Sequence, residues 1–156
     1  MRSVFIFLII SFCSFFPFAY ANGNETAKRI VPLDNDWDFY YGSTIPGKTS
    51  QNLWKAVTLP HDWSIELPFS KDASGKQAVG YKEGGIGWYK KNISLSAQDK
   101  NKIISLYFEG VYMESEIWIN GQKIFYHPYG YTSFKIDISD FCYFDGKENE
   151  VLVKVV

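Results

Sequence analysis

Cysteine and histidine are scarce in this sequence, two of each among 156 residues, and each shortage excludes some chemistry. Cys13 falls inside an N-terminal apolar run that reads as an export leader, so after cleavage Cys142 stands alone and no intramolecular disulfide can form. A lone thiol between Phe141 and Tyr143 reads as a small buried apolar residue rather than a nucleophile. His61 and His127 lie far apart, and Cys142 is separate again. That is no metal-ligand spacing, so no zinc site is expected. No glycine motif follows a strand and opens a helix to cradle phosphate, so no nucleotide cofactor is expected. Charge of one sign is also lacking. Removing Arg2 with the leader changes the 16 basic residues to 15 against 17 acidic ones, a net charge of −2. Such a surface gives no reason to expect nucleic acid or an anionic membrane as partner. Amphipathic helical periodicity and internal repeats are absent too.

What is present begins with the leader. Arg2 precedes a nearly unbroken apolar run from Val4 to Phe18, and Ala19-Tyr20-Ala21 fits a signal peptidase site with Asn22 as first mature residue. The run falls short of the ~20 residues a membrane helix needs. A retained anchor and a lipoprotein at Cys13 are the competing readings; bulky Phe12 argues against the second. The expected organisation is a signal peptide over 1–21, a polar leader over 22–30 and one domain over 31–156. The expected location is periplasmic or secreted, with no membrane association after cleavage.

Aromatic residues make up 19% of the chain. Tyr and Trp combine a flat apolar face with a polar edge, which suits a sandwich core and carbohydrate stacking alike. From Ile30 onward the pattern is β. Strands are expected over 37–42, 53–59, 87–95, 102–110, 115–121, 122–126, 133–139 and 149–156, separated by turn residues, as in a sandwich or barrel. In 102–110, Ile104, Leu106 and Phe108 share a face; in 133–139, Phe134, Ile136 and Ile138 do. Residues 69–85 form a long, glycine-rich stretch without periodicity, expected to be a functional or disordered surface loop. Val156 ends the sequence within a strand-like alternation, as expected of a domain cut from a longer protein or a truncated gene product.

Asn120-Gly121 is the strongest hairpin signal, because a type I′ turn needs positive φ at both positions. A two-residue loop pairs Ile119 with Gln122, Trp118 with Lys123, Ile117 with Ile124 and Glu116 with Phe125. Ile117 and Ile124 then face the core. Trp118, Lys123, Glu116 and Phe125 face away, with Lys123 across the indole.

Four blocks, "LPHDW" (59–63), "GGIGWYKK" (84–91), "FEGVYMESEIWINGQKI" (108–124) and "HPYGYTSFKIDIS" (127–139), resemble the N-terminal sugar-binding domain of glycoside hydrolase family 2, which includes β-galactosidases and β-glucuronidases. The resemblance covers nearly all of 31–156. It implies an all-β jelly-roll β-sandwich of the galactose-binding type. It also implies downstream immunoglobulin-like and TIM-barrel domains, missing here, with the catalytic glutamate pair of a retaining mechanism in the barrel. Glu66, Glu83, Glu109, Glu114 and Glu116 read as surface charges, so this segment alone is expected to be inactive, with no catalytic residue.

Asp62 and Trp63 are candidate substrate-binding residues, as hydroxyl acceptor and stacking face; the competing reading makes Asp62 a turn tie and Trp63 a core residue, and that reading is preferred. His127, with the tyrosines of 126–131, is a candidate pocket wall; core or interface is the preferred reading. The expected function is the carbohydrate-binding accessory domain of an exported retaining glycosidase, β-galactosidase-like, with a β-galactoside-like carbohydrate as partner. The alternatives are a free-standing carbohydrate-binding module and a non-functional remnant of a split gene.

Overall fold

The computed structural model describes residues 29–47, 51–73 and 76–156. The expected leader 1–21 and most of the polar stretch 22–30 lie outside them. The strands belong to one compact unit, Pro32–Val156. They are β1 (Trp37–Tyr41), β2 (Lys55–Val57), β3 (Gly87–Ser94), β4 (Ser105–Phe108), β5 (Ser115–Ile119), β6 (Gln122–His127), β7 (Phe134–Asp137) and β8 (Glu148–Val155). The only helical elements among the described residues are short 3-10 turns. The chain is an all-β jelly-roll sandwich. One antiparallel sheet runs β2-β1-β3-β8-β5-β6, and the second pairs β4 with β7.

Both sheets feed one core. Trp37, Phe39, Tyr89, Ile117, Ile119, Val151, Val153 and Val155 come from the large sheet, and Leu106 and Ile136 from the small one, with Ile138 just beyond β7. The period-2 alternation places these side chains inward and their sequence neighbours outward. Ile117 and Ile119 have no exposed surface, and each contributes about 1.5–3 kcal/mol by leaving water. Lys91 shares the inward face of β3, yet its ammonium escapes at the rim. It donates to the carbonyls of Asn35 at 2.7 Å and Asp36 at 3.5 Å, so only the stem is covered.

The β5–β6 hairpin turns at Asn120 (φ 52°) and Gly121 (φ 82°), the geometry the type I′ expectation requires. Ile119 pairs with Gln122 and Trp118 with Lys123 as expected, and Lys123 lies 5.7 Å from the Trp118 ring. A bulge between Ile117 and Trp118 then shifts the register. Ile117 opposes Phe125, and Glu116 opposes Tyr126. Phe125 therefore packs against the core together with Ile124, which corrects the outward placement expected for it. Two successive apolar residues reach one side of a strand only through such an extra residue.

Asn120 also closes the end of the sandwich. Its amide donates to Phe141 O (2.8 Å) and Asn149 Oδ1 (2.9 Å), and its Oδ1 accepts from Glu150 N (3.0 Å). Asn149, fully buried, accepts from Tyr143 N at 2.6 Å and donates to Tyr143 O at 3.0 Å. A buried amide is tolerated when its donors and acceptors are matched in this way.

Candidate functional site

The stretch after β2 brings the first candidate residues onto the end of the core. Asp62 precedes the 3-10 turn Trp63–Glu66, and its Oδ1 accepts from Ser64 N at 2.8 Å, capping that turn. Trp63 stacks on Phe39 at 5.8 Å and 20°, and lies 6.4 Å from both Tyr41 and Tyr89. Gly87 sits against the same indole, where a Cβ would come within 2.9 Å of Trp63 Cζ3 and 3.0 Å of Phe39 Cε2. The blocks "LPHDW" and "GGIGWYKK" thus meet in space. Only glycine leaves room for the ring. His61 Nδ1 is 2.9 Å from the Tyr89 hydroxyl. Burial first, and then the Asp62 charge, push the Tyr89 phenol far above its usual range.

His127 lies elsewhere. It ends β6, the strand at the opposite edge of the large sheet from β2. Its ring stacks on Phe134 at 4.2 Å and Phe125 at 6.4 Å, and Nε2 is 3.0 Å from Thr132 Oγ1. Phe108 continues the stack on Phe134 at 4.8 Å. Asp62 and Trp63 are thus neighbours, and His127 is not brought to them. The tyrosines beside His127 face outward: Tyr126, Tyr129 and Tyr131 are exposed, with Tyr112 6.3 Å from Tyr131. Gly130 lets this segment touch the Tyr112–Met113 backbone, since a Cβ there would stand 3.0 Å from Met113 N.

The long 69–85 stretch is organised by its own backbone where it is described. Ser70 N donates to Tyr81 O and Tyr81 N to Lys76 O, both at 2.8 Å. Phe69, Ser70, Lys71 and Tyr81 line an open hollow of about 510 Å³. A smaller hollow of about 310 Å³, lined by Asp38, Trp54, Lys90 and Asn92, lies on the outer face of the large sheet. Sequence reasoning missed it. The available signal was the outward set of β3, where Lys90 and Asn92 alternate with Tyr89, Lys91 and Ile93.

Several carboxylates are engaged in ion pairs and caps. Glu116 is held by Lys123 and by Lys154, the latter at 3.0 Å. Hydrogen bonding to Lys123, then to Lys154, keeps its carboxyl below the usual range despite burial. Glu66 is lowered by Lys55, Asp99 by Lys102 and Ser96, Asp137 by Ser139, and Asp145 by Lys147. A glycosidase acid needs the opposite shift, a carboxyl raised toward neutrality. Burial, then the Asp137 charge, push the half-buried Cys142 thiol up to about 11. That suits packing, not nucleophilic attack. Among the described residues no group of three or more His, Cys, Asp or Glu side chains is placed to hold a metal ion.

Residues 30–156 match the family model described as glycosyl hydrolases family 2, sugar binding domain. The chain belongs to glycoside hydrolase family 2. Within that family it is similar to a putative β-glucuronidase of Formosa agariphila, 40% identical over 134 residues, which covers 83% of this chain and 13% of that protein. It is similar to the same degree to β-galactosidase BoGH2A of Bacteroides ovatus, 40% identical over 124 residues, or 77% of this chain and 14% of that protein. The crystal structure of a family 2 member from Bacteroides cellulosilyticus superposes with a TM-score of 0.72 at 41% identity, covering 79% of this chain and 17% of that one. The chain therefore corresponds to the sugar-binding domain of β-galactosidase- and β-glucuronidase-like glycosidases, and spans about one seventh of the curated relatives' length.

Proposed function

We propose that this chain is the non-catalytic N-terminal domain of an exported, retaining, β-galactosidase-like glycosidase. In this reading it supports a catalytic barrel and contributes secondary contacts to carbohydrate. One observation carries it: the match to the family 2 sugar-binding domain spans residues 30–156, the whole of the compact unit Pro32–Val156. The lowered carboxyls agree with it, because those acids are committed to lysines, hydroxyls and backbone N–H groups. The preference for galactoside rests on the likeness to BoGH2A. The apolar run over residues 4–18 and the Ala19-Tyr20-Ala21 site support export, which places the mature N-terminus at Asn22.

The test is to assay this chain and the product of its whole reading frame side by side on chromogenic β-galactoside and β-glucuronide. The expected outcome is no turnover by the chain alone and galactoside turnover, with retention at the anomeric carbon, by the longer product. Turnover by the isolated chain in proportion to its concentration, lost on substituting its own acids, overturns the reading. Terminal sequencing of exported material checks the cleavage site.

A further inference from the structure

The outward face of the large sheet is not the plain polar surface that a solvated sheet ordinarily presents. Strand register builds two rows across it. One runs Asp38, Lys90, Leu152, Trp118, Lys123, and the other Tyr40, Trp88, Lys154, Glu116, Tyr126. From Trp88 on β3 across β8, β5 and β6 these side chains close on one another. Trp88 and Trp118 lie 5.7 Å apart, Glu116 is clamped by two lysines, and Trp88 and Leu152 are each only 8% exposed. Beside β1, Asp38 joins Lys90 and Asn92 of β3 and Trp54, just before β2, around the hollow of about 310 Å³.

The geometry points to a carbohydrate subsite in this hollow, one that takes a neutral pyranose against Trp54. Stacking needs a held ring. The Lys90 ammonium lies over one face of Trp54, 4.4 Å from its centroid, and Tyr40 leans on the indole at 5.9 Å, so the ring is held before a ligand arrives and a pyranose packs on the side that Lys90 leaves uncovered. Hydroxyl recognition needs acceptors and donors with capacity to spare. Lys90 and Asp38 face each other at 3.5 Å, longer than the tight pairs elsewhere on this face, and among the described residues the Asp38 carboxylate makes no closer polar contact. Asn92 Nδ2 donates to Glu148 at 2.8 Å, which orients the amide and leaves its carbonyl oxygen for a ligand. The wall thus offers one π face, one ammonium, one carboxylate and one amide. Its formal charge sums to zero. A uronate that met Lys90 would also meet Asp38 beside it, so the charge pattern selects a neutral sugar over an acidic one.

The subsite rests on the proposed function only in taking a sugar as its ligand, and the experiment separates the two. The full chain is titrated with lactose as neutral probe and methyl β-glucuronide as uronate, and followed by ¹H–¹⁵N spectra. Lactose is expected to shift the Trp54 indole and the Asp38, Lys90 and Asn92 amides; the glucuronide shifts them far less. Trp54→Ala is expected to weaken lactose binding at least ~10-fold. Asp38→Asn, which keeps the side-chain shape, is expected to weaken it too and carries the test if Trp54→Ala fails to fold. Tyr107→Ala on the small sheet leaves binding unchanged. No lactose-induced shift at these residues, shifts that survive Asp38→Asn at full size, or equal response to both probes overturns the subsite. Shifts that map instead to Trp63 or His127 overturn it while leaving the sugar-binding reading intact.

Discussion

Substituting Gly87 by alanine tests whether Trp63 is part of the core or a surface kept free for ligand. The added methyl would stand 2.9 and 3.1 Å from two atoms of the Trp63 ring and 3.0 Å from Phe39. Phe39 is 5% exposed and packed among His61, Tyr89 and Trp63, so it has nowhere to go. Trp63 is only half-buried and can tilt outward at the expense of its stacking on Phe39. Overpacking of this kind costs about 1–3 kcal/mol, or a fall in Tm of roughly 4–12 °C for a domain of this size. Trp63→Leu alone also destabilises, by removing aromatic area. The double variant should recover part of the Gly87→Ala loss, because the methyl then occupies space the indole vacates. The assay is thermal unfolding of the four proteins as a double-mutant cycle, with a coupling of at least ~0.5 kcal/mol expected for residues in contact. A neutral Gly87→Ala, or losses that simply add, would refute the packing argument and return Trp63 to the list of free stacking faces.

Asn149→Ala strands the Tyr143 N–H and C=O and one Asn120 N–H contact, and is expected to cost at least ~2 kcal/mol in chemical denaturation. The Glu116 carboxyl is lowered in the folded state, so its pairing stabilises above the ordinary carboxyl value of 4.5 and is lost as pH falls through the lower folded value. Glu116→Gln should therefore be less stable than the parent near neutrality, with the gap closing in acid; a gap that stays constant with pH refutes this. Glu66, Asp137 and Asp145 shift the same way in both proteins, so the difference between the two curves isolates Glu116. Cys142, with its thiol pushed up to about 11, should react slowly with thiol reagents at pH 8 in the native protein and quickly once unfolded. Fast native labelling would contradict its packing.

Local signals carried most of the strand positions. Ile104, Leu106 and Phe108, and Phe134, Ile136 and Ile138, face the core as their alternation requires, and Asn120-Gly121 turns as its φ demands require. Edges were less legible. The stretch 53–59 shortens to Lys55–Val57 because residues 51–53 wind into a 3-10 turn. The bulge beside Ile117 escaped notice because strict alternation has no place for an extra residue, although adjacent Ile124 and Phe125 were a cue. Long-range pairing was the least legible level. Nothing in β8 by itself says that it lies between β3 and β5. The candidate site shows the same limit. Asp62 and Trp63 could be proposed from one block, but their distance from His127, and the meeting of Trp54 with Asp38, Lys90 and Asn92, depend on which strands become neighbours.

The place of β8 has a consequence for how the polypeptide matures. On one side of it stand β2, β1 and β3, and on the other β5 and β6. The first group and the second have no hydrogen-bonded link until Glu148–Val155 threads between them. A nascent chain on the ribosome can close the β5–β6 ribbon early, but its two half-sheets must wait for β8 to be made. High contact order of this sort slows folding and holds the protein in an open, protease-sensitive state until synthesis has passed that point.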